Sequence, residues 1–462
     1  MSDVAPSLAG WMARQRWYAT KGSTPDIRVI GSYEWAADDA VVVTLFVIDE
    51  SGPAPVLYQV PVVARHAPLP GGDRAFIGSH DGVYLYDGPH DPAYAEGLLA
   101  LMSDARQVAG SDVTVEGHAL RSPGRVLRSR VLSGEQSNTS IIYDVEGADA
   151  ATGTGAGAGA DHVIVKVFRV LHHGDNPDVT SQAALSRGGS SRVPGSYGFL
   201  TGEWGDTGRA EGTARGHLAF AQEFLTGAED AWRVALEAAA AGEDFTDRAR
   251  ELGAATAEVH ATLAAELGTV EAGPDEVAAA LVSMRRRIAT AAREVPEIAP
   301  FEEAVGRVYD VVADRPWPAL QRVHGDLHLG QALAVPDRGW VLLDFEGEPL
   351  RPMPERSRAD VTLRDVAGML RSFDYVAGSL EHRTPSVDAH AWASAARRAF
   401  VDGYVAASGV DVRAERALLD AFEIDKAVYE AIYESRNRQD WIGIPVTAVE
   451  RLVARSAPAT AG

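Results

Sequence analysis

The chain predicts an α+β protein, strand-rich in its first half and helical in its second. Three observations predict this. Short β-branched and aromatic runs recur between Ile27 and Leu225. After Thr226 the sequence turns to Ala, Arg, Glu and Leu at helical spacing. Two short apolar runs then interrupt the helical part, each next to acidic residues. A length of 462 residues suggests roughly two to three domains or lobes.

Leu8 to Tyr18 predicts a short helix with Trp11, Met12 and Trp17 clustered on it. Strands are predicted over 27–30, 40–47, 58–63 and 83–88, and together they form a small unit. Val41 to Val47 is the strongest of these, since nearly every residue is β-branched or aromatic. Pro92 suits the start of a helix over 93–107. Further strands are predicted over 125–132, 140–143, 162–170 and 218–225. The Gly/Ala tract 151–160 lies between two of them and reads as an elongated hairpin loop, not a domain linker. Helices are predicted over 230–241, 244–267, 274–292, 301–314, 364–380, 389–408 and 414–434. No internal repeat is visible.

Composition narrows the function. The formal charge is −22, from 65 acids against 43 Lys plus Arg, which argues against non-specific binding to nucleic acid or to an anionic membrane. There is no cysteine, so disulfides, zinc–thiolate sites and thiol catalysis are excluded. No apolar run approaches the roughly 20 residues of a membrane span, and Met1 to Gln15 lacks a signal-peptide core. A cytoplasmic enzyme is the expectation.

The chemistry concentrates in His324-Gly325-Asp326-Leu327-His328-Leu329-Gly330-Gln331 and in Val341-Leu342-Leu343-Asp344-Phe345-Glu346. An acid precedes an amide by five residues, and a second acid ends an apolar strand. This is the order of the catalytic loop and metal-binding acid in kinase-like phosphotransferases. Asp326 can orient an acceptor hydroxyl and take its proton. Gln331 and Asp344 offer oxygen ligands suited to Mg²⁺. Glu346 could assist the metal or remain solvated. For His324 and His328 the leading role is structural, hydrogen bonds that hold the loop, and His324 is also placed among the acceptor-contacting residues.

Lys166 stands inside the apolar run Val163 to Phe168, where a charge requires a partner such as the phosphates of ATP. One strand earlier, Ser133-Gly134-Glu135-Gln136-Ser137-Asn138-Thr139-Ser140 is small, polar and rich in donors, and could fold over phosphates. Near the C-terminus, Tyr429 and Tyr433 share a helix face at i, i+4, as do Glu430 and Glu434. With Arg438 and Trp441 they combine carboxylates, guanidiniums and aromatic faces, which suits a sugar.

Taken together, these residues resemble the actinobacterial maltokinases, relatives of the aminoglycoside phosphotransferases with a protein-kinase-like fold. The resemblance runs almost end to end. It rests on Arg14-Gln15-Arg16-Trp17-Tyr18, Glu135 to Ser140, Lys166 to Arg169, Asn176-Pro177-Asp178, Gln321 to Gln331, Leu343 to Pro349, Arg364 to Gly368 and Asp425 to Glu430. It implies a bilobal architecture. A cap subdomain spans 1–90, an intermediate subdomain completing the N-lobe spans 91–225, and a helical C-lobe spans 226–462. The implied reaction is ATP-dependent, Mg²⁺-assisted phosphorylation of maltose to maltose 1-phosphate for glycogen-type α-glucan synthesis from trehalose. A trehalose-isomerising enzyme is a candidate partner.

By the resemblance Asp326 is the catalytic base, and Gln331 and Asp344 are the metal ligands. Lys166, with Ser133, Gln136, Ser137, Asn138, Thr139 and Ser140, contacts ATP phosphates, and Gln222, Glu223 and Leu225 form the adenine-contacting hinge. The acceptor is held by His324, Asp326, Glu430, Tyr433, Glu434, Arg438 and Trp441. One departure stands out. The helix Glu that pairs with the strand lysine is absent from Asp178-Val179-Thr180-Ser181-Gln182. Asp178 could replace it, Lys166 could be placed differently, or the pair could be dispensable. Two other readings remain open: a kinase for glucosamine, an aminoglycoside or another small alcohol, and a pseudokinase that binds without turnover.

Overall fold

The computed structural model describes residues 5–37, 39–132, 137–147, 161–208, 212–384 and 388–456. The tract at 151–160 and the first half of the polar loop, including Ser133 and Gln136, lie outside these residues. The chain divides into two compact units. One comprises Met1–Ala183 and Pro194–Thr226, and the other Ala184–Val193 and Gly227–Gly462.

The first unit is β-rich. Helix α1 (Ala5–Met12) precedes β1 (Ile27–Ala37), β2 (Ala40–Asp49), β3 (Val56–Arg65), β4 (Phe76–His80) and β5 (Val83–Asp87). These strands form an antiparallel sheet of order β1-β2-β3-β5-β4. The near-continuous apolar run of β2 has a physical reason: both its faces are covered. Leu45 and Val47 pack with Leu8, Trp11 and Met12, while Val42, Phe46 and Ile48 pack with Tyr94, Leu98 and Leu99. The latter belong to α2 (Pro92–Ser103), which starts at Pro92 behind an Asp91 cap whose carboxylate accepts from Ala93 N at 2.9 Å.

The second sheet holds β6 (Gln107–Ala109), β7 (Val113–Ala119), β8 (Arg125–Val131), β9 (Asn138–Glu146), β10 (Asp161–Phe168), β11 (Ser196–Gly205) and β12 (Thr213–Glu223). Their order is β6-β7-β11-β12-β10-β9-β8. β9 and β10 pair antiparallel, which sets Ser140 opposite Lys166. Strands β4, β6, β7 and β11 are additional to those predicted; β11 carries three glycines and little apolar alternation. Helix α3 (Pro177–Arg187) follows β10.

The second unit is helical: α4 (Ala231–Ala241), α5 (Thr246–Leu267), α6 (Pro274–Glu294), α7 (Glu302–Ala313), α8 (Met353–Arg356), α9 (Leu363–Arg383), α10 (His390–Ser408), α11 (Arg416–Asn437) and α12 (Gly443–Ser456). The short α8 and the last helix are additional to the predicted set. Strands Ala332–Val335 and Gly339–Leu342 form a hairpin between α7 and α8. Helices α5 and α10 cross in backbone contact. A Cβ on Gly253 would lie 2.0 Å from the Phe400 carbonyl oxygen, and one on Gly403 would lie 1.9 Å from that of Arg250. Only glycine permits this approach.

Candidate active site

The loop bearing Asp326 is fixed from beneath. Asp365, fully buried near the start of α9, accepts from His324 N at 2.7 Å and from Gly325 N at 2.8 Å. A hydrogen bond to His260 Nε2 at 2.9 Å orients the same carboxylate, and Tyr404 Oη holds His260 Nδ1 at 2.9 Å. Burial works against the Asp365 anion. His260, His324 and the Gly325 N–H outweigh that effect and hold its carboxyl below the usual range. The loop also lies close on α9, since a Cβ on Gly368 would come within 2.5 Å of the Leu327 carbonyl oxygen.

His324 is corrected by the structure. Its ring is buried, lies tilted against Phe345 with centroids 4.6 Å apart, and donates from Nε2 to Leu343 O at 2.7 Å. It holds the loop and does not line the acceptor cavity. His328 does line that cavity, and burial holds its imidazole below the usual range.

The cavity encloses about 420 Å³, within the roughly 300–1,000 Å³ typical of small-molecule sites. Asp326, Gln331, Glu430, Tyr433, Glu434, Arg438 and Trp441 all line it, joined by Trp232, Tyr375, Lys426 and Tyr429. The C-terminal residues reach it because α11 presents one face, and the turn after that helix brings in Trp441.

Lys426 carries no role in the sequence reading, yet it meets the central acid. Its Nζ donates to Asp326 Oδ1 at 2.6 Å and to Glu348 Oε1 at 3.2 Å. Burial opposes the ammonium, but the carboxylates of Asp326 and Glu348 outweigh it and raise its pKa. Glu348 also faces Arg287 at 3.4 Å, and Arg287 and Arg364 both bind Asp425. Burial alone would raise the Glu348 carboxyl; these cations, Lys426 first, bring it down to about 2. No local sequence signal reveals the pairing, because 100 residues separate Lys426 from Asp326.

The other acids of the cavity are paired too. Glu430 accepts two bonds from buried Arg371, at 2.7 and 3.1 Å. Burial still lifts the Glu430 carboxyl above the usual range, with Arg371 only partly offsetting it. Glu434 accepts two bonds from Arg438, at 2.6 and 2.9 Å, and one from Tyr375 Oη at 3.2 Å.

Gln331 and Asp344 meet at one end of the hairpin. Ala332 pairs with Leu342, and Leu343 N donates to Gln331 O at 2.9 Å. Asp344 adopts φ 55°, a left-handed conformation that Asp tolerates better than most residues. Among the described residues no three His, Asp or Glu cluster as a metal cage. An amide and a carboxylate oxygen instead fit an ion such as Mg²⁺, which usually keeps waters and phosphates as further ligands.

In the strand-rich unit, Lys166 Nζ donates to Asp178 Oδ2 at 2.9 Å. Asp178 on α3 therefore stands where the helix Glu was expected, and an ion pair is formed. Asn138 and Thr139, expected in the loop, open β9, and Ser140 continues it where a strand was predicted to start. The Thr139 hydroxyl accepts from Arg169 Nε at 2.8 Å. Gln222 is buried and donates its amide to Gln182, whose own amide donates to Asp178 at 2.5 Å. Its side chain supports the Lys166 pair and is not presented as a hinge contact. Glu223 accepts from Gly195 N at 3.0 Å, Leu225 is partly buried and Ser137 is exposed.

Fold and site together define a kinase-like phosphotransferase. Residues 11–91 match the maltokinase N-terminal cap domain. A glucosamine kinase from Streptacidiphilus jiangxiensis is 31% identical over 374 residues, covering 76% of this chain and 79% of that protein. Another, from Mycolicibacterium smegmatis, is 28% identical over 399 residues, covering 81% and 91%. The structure of a glucosamine kinase in complex with glucosamine, ADP and inorganic phosphate shares the fold, with a TM-score of 0.68 at 24% identity over 96% of this chain and 98% of that one. The chain belongs to the family of the Streptacidiphilus enzyme, sugar-kinase-like phosphotransferases, and carries a maltokinase-type cap. No helix among the described residues is long and apolar enough to cross a membrane.

Proposed function

We propose that the protein transfers the γ-phosphoryl group of ATP to the anomeric hydroxyl of maltose, giving maltose 1-phosphate and ADP for α-glucan synthesis. One observation carries the choice of acceptor. Every carboxylate lining the cavity already has a cation: Asp326 has Lys426, Glu430 has Arg371 and Glu434 has Arg438. An amino sugar would place an ammonium among these groups, where it would compete with resident cations in a partly dehydrated site. A neutral sugar needs only hydrogen bonds and aromatic faces, which Trp232, Tyr429, Tyr433 and Trp441 supply.

In this reading the acceptor hydroxyl approaches Asp326 on the side of Oδ2, since Lys426 occupies Oδ1. The new O–P bond forms as the bond to the β–γ bridging oxygen breaks, and Asp326 accepts the proton late in the transfer. Gln331 and Asp344 would hold Mg²⁺, which supplies charge neutralisation on the phosphates. Lys166, steadied by Asp178, binds phosphate oxygens.

A second reading, glucosamine as acceptor, is favoured by the names of both curated relatives. An acceptor panel with mapping of the phosphorylated position decides between them. Phosphate on the C1 oxygen of maltose is the expected result. Efficient turnover of glucosamine, with maltose inert, would overturn the maltose assignment and leave the phosphotransferase class intact.

A further inference from the structure

A second cavity, of about 740 Å³, lies in the strand-rich unit. Arg14, Arg16 and Arg74 line it together with His90, Trp17 and Asn138. The three arginines are exposed, and none has a carboxylate partner among the described residues. In a chain with 65 acids against 43 basic residues, this is an unusual place to leave three guanidiniums unmatched. Asp87, the only carboxylate of the lining among the described residues, is already neutralised. Arg169, fully buried, gives it two bonds of 2.8 Å and also donates to Thr139. The Arg169 guanidinium lies over the Trp17 ring at 4.8 Å. With His90 neutral, the described residues of the lining together with Arg169 carry three net positive charges.

We infer that this cap cavity is a binding site for a small phosphorylated anion. Guanidinium forks match the tetrahedral oxygens of a phosphoryl group, and a doubly charged phosphate offsets several cations where a single carboxylate would not. The cavity volume suits a metabolite, not a bare ion. The site is also wired to the strand pair that carries Lys166. Asn138 and Thr139 line the cavity, open β9 and are followed by Ser140, the residue opposite Lys166 on β10. The inference does not depend on the identity of the sugar acceptor.

The test is calorimetric titration of the full chain with inorganic pyrophosphate in the absence of divalent metal, using wild type, Arg14→Ala/Arg16→Ala/Arg74→Ala and Lys166→Ala. Wild type and Lys166→Ala should bind, and the triple variant should bind more weakly by on the order of 10-fold or more, having lost charge-assisted bonds. Glucose 6-phosphate titrated in parallel separates the sources: tighter binding assigns the site to an organic phosphate, weaker binding to an inorganic polyphosphate. Equal binding by wild type and the triple variant would overturn the proposal. So would loss in Lys166→Ala alone, which would place the anion in the nucleotide site, or no binding by wild type. If the triple variant fails to fold, Arg74→Glu is titrated against the same criteria.

Discussion

The cavity beside Asp326 and the cavity of the cap use arginine in opposite ways. In the helical unit, Arg438 at the cavity wall and Arg371 behind it are already bound to Glu434 and Glu430. In the strand-rich unit, Arg14, Arg16 and Arg74 line a cavity whose one described carboxylate, Asp87, is held by Arg169. Paired arginines shape a site without charging it, and so suit a neutral ligand. Unpaired arginines leave their charge to whatever enters. The same residue type therefore carries different information depending on what it touches.

Substitutions can break or sharpen this contrast. The largest effect is expected at the centre of the paired cavity. Asp326→Asn removes the proton acceptor and strands Lys426; kcat should fall by about 10²–10⁴-fold with the fold retained. Near-wild-type turnover would refute the role given to Asp326.

Next in size is Glu348→Gln, which leaves Lys426 and Arg287 less neutralised and makes part of the helical unit resemble the cap cavity. A loss of about 3 kcal/mol in unfolding free energy is expected at neutral pH. The variant also tests a pH dependence. Glu348 titrates near 4.5 when unfolded and is held at about 2 when folded. Its stabilising contribution is therefore complete above pH 4.5 and is lost as pH falls towards 2. Acid denaturation of Glu348→Gln should be shallower across that window than in wild type.

Asp178→Ala extends the comparison to a paired lysine in the strand-rich unit. Loss of one charge-assisted bond to Lys166 should lower kcat/KM for ATP by roughly 10–100-fold, with little change in the KM for sugar. The smallest change is expected from Arg438→Leu. Arg438 is about half exposed, so solvent screens part of its pair with the buried Glu434. Freeing Glu434 should shift acceptor preference from maltose towards glucosamine by roughly 2- to 5-fold, measured as the ratio of kcat/KM values. An unchanged ratio would separate acceptor choice from carboxylate pairing.

The sequence made some of this legible, for physical reasons. Asp326, Gln331 and Asp344 could be singled out because the chemistry proposed for them needs fixed residue types within a short contiguous stretch. Val41 to Val47 could be read because burial on both faces demands a continuous apolar run. Lys426 could not be assigned a role. A lysine after an aspartate on a helix looks like a solvated face until folding brings it to an acid 100 positions away. Asp178 could be raised only as one option, since the shorter side chain succeeds only if α3 lies close enough to β10, a matter of packing. Strand β6 escaped because it is only three residues long, and β11 because glycine and polar residues break up its apolar run. His324 and His328 could not be told apart, because a histidine flanking a catalytic acid looks the same in sequence whether it faces a cavity or holds the loop.

The crossing of α5 and α10 has a genetic consequence. A methyl group at Gly253 or Gly403 would sit at about 2 Å from a facing carbonyl, so the helices would have to separate by more than an ångström. Tyr404 adjoins Gly403, and its hydroxyl begins the chain of contacts through His260 and Asp365 to the backbone of the Asp326 loop. An alanine there would silence the enzyme without altering any group that lines the sugar cavity. Second-site revertants of such an allele should map to the opposite helix, among the small residues around Phe400 or Arg250, and not to the pocket whose activity they restore.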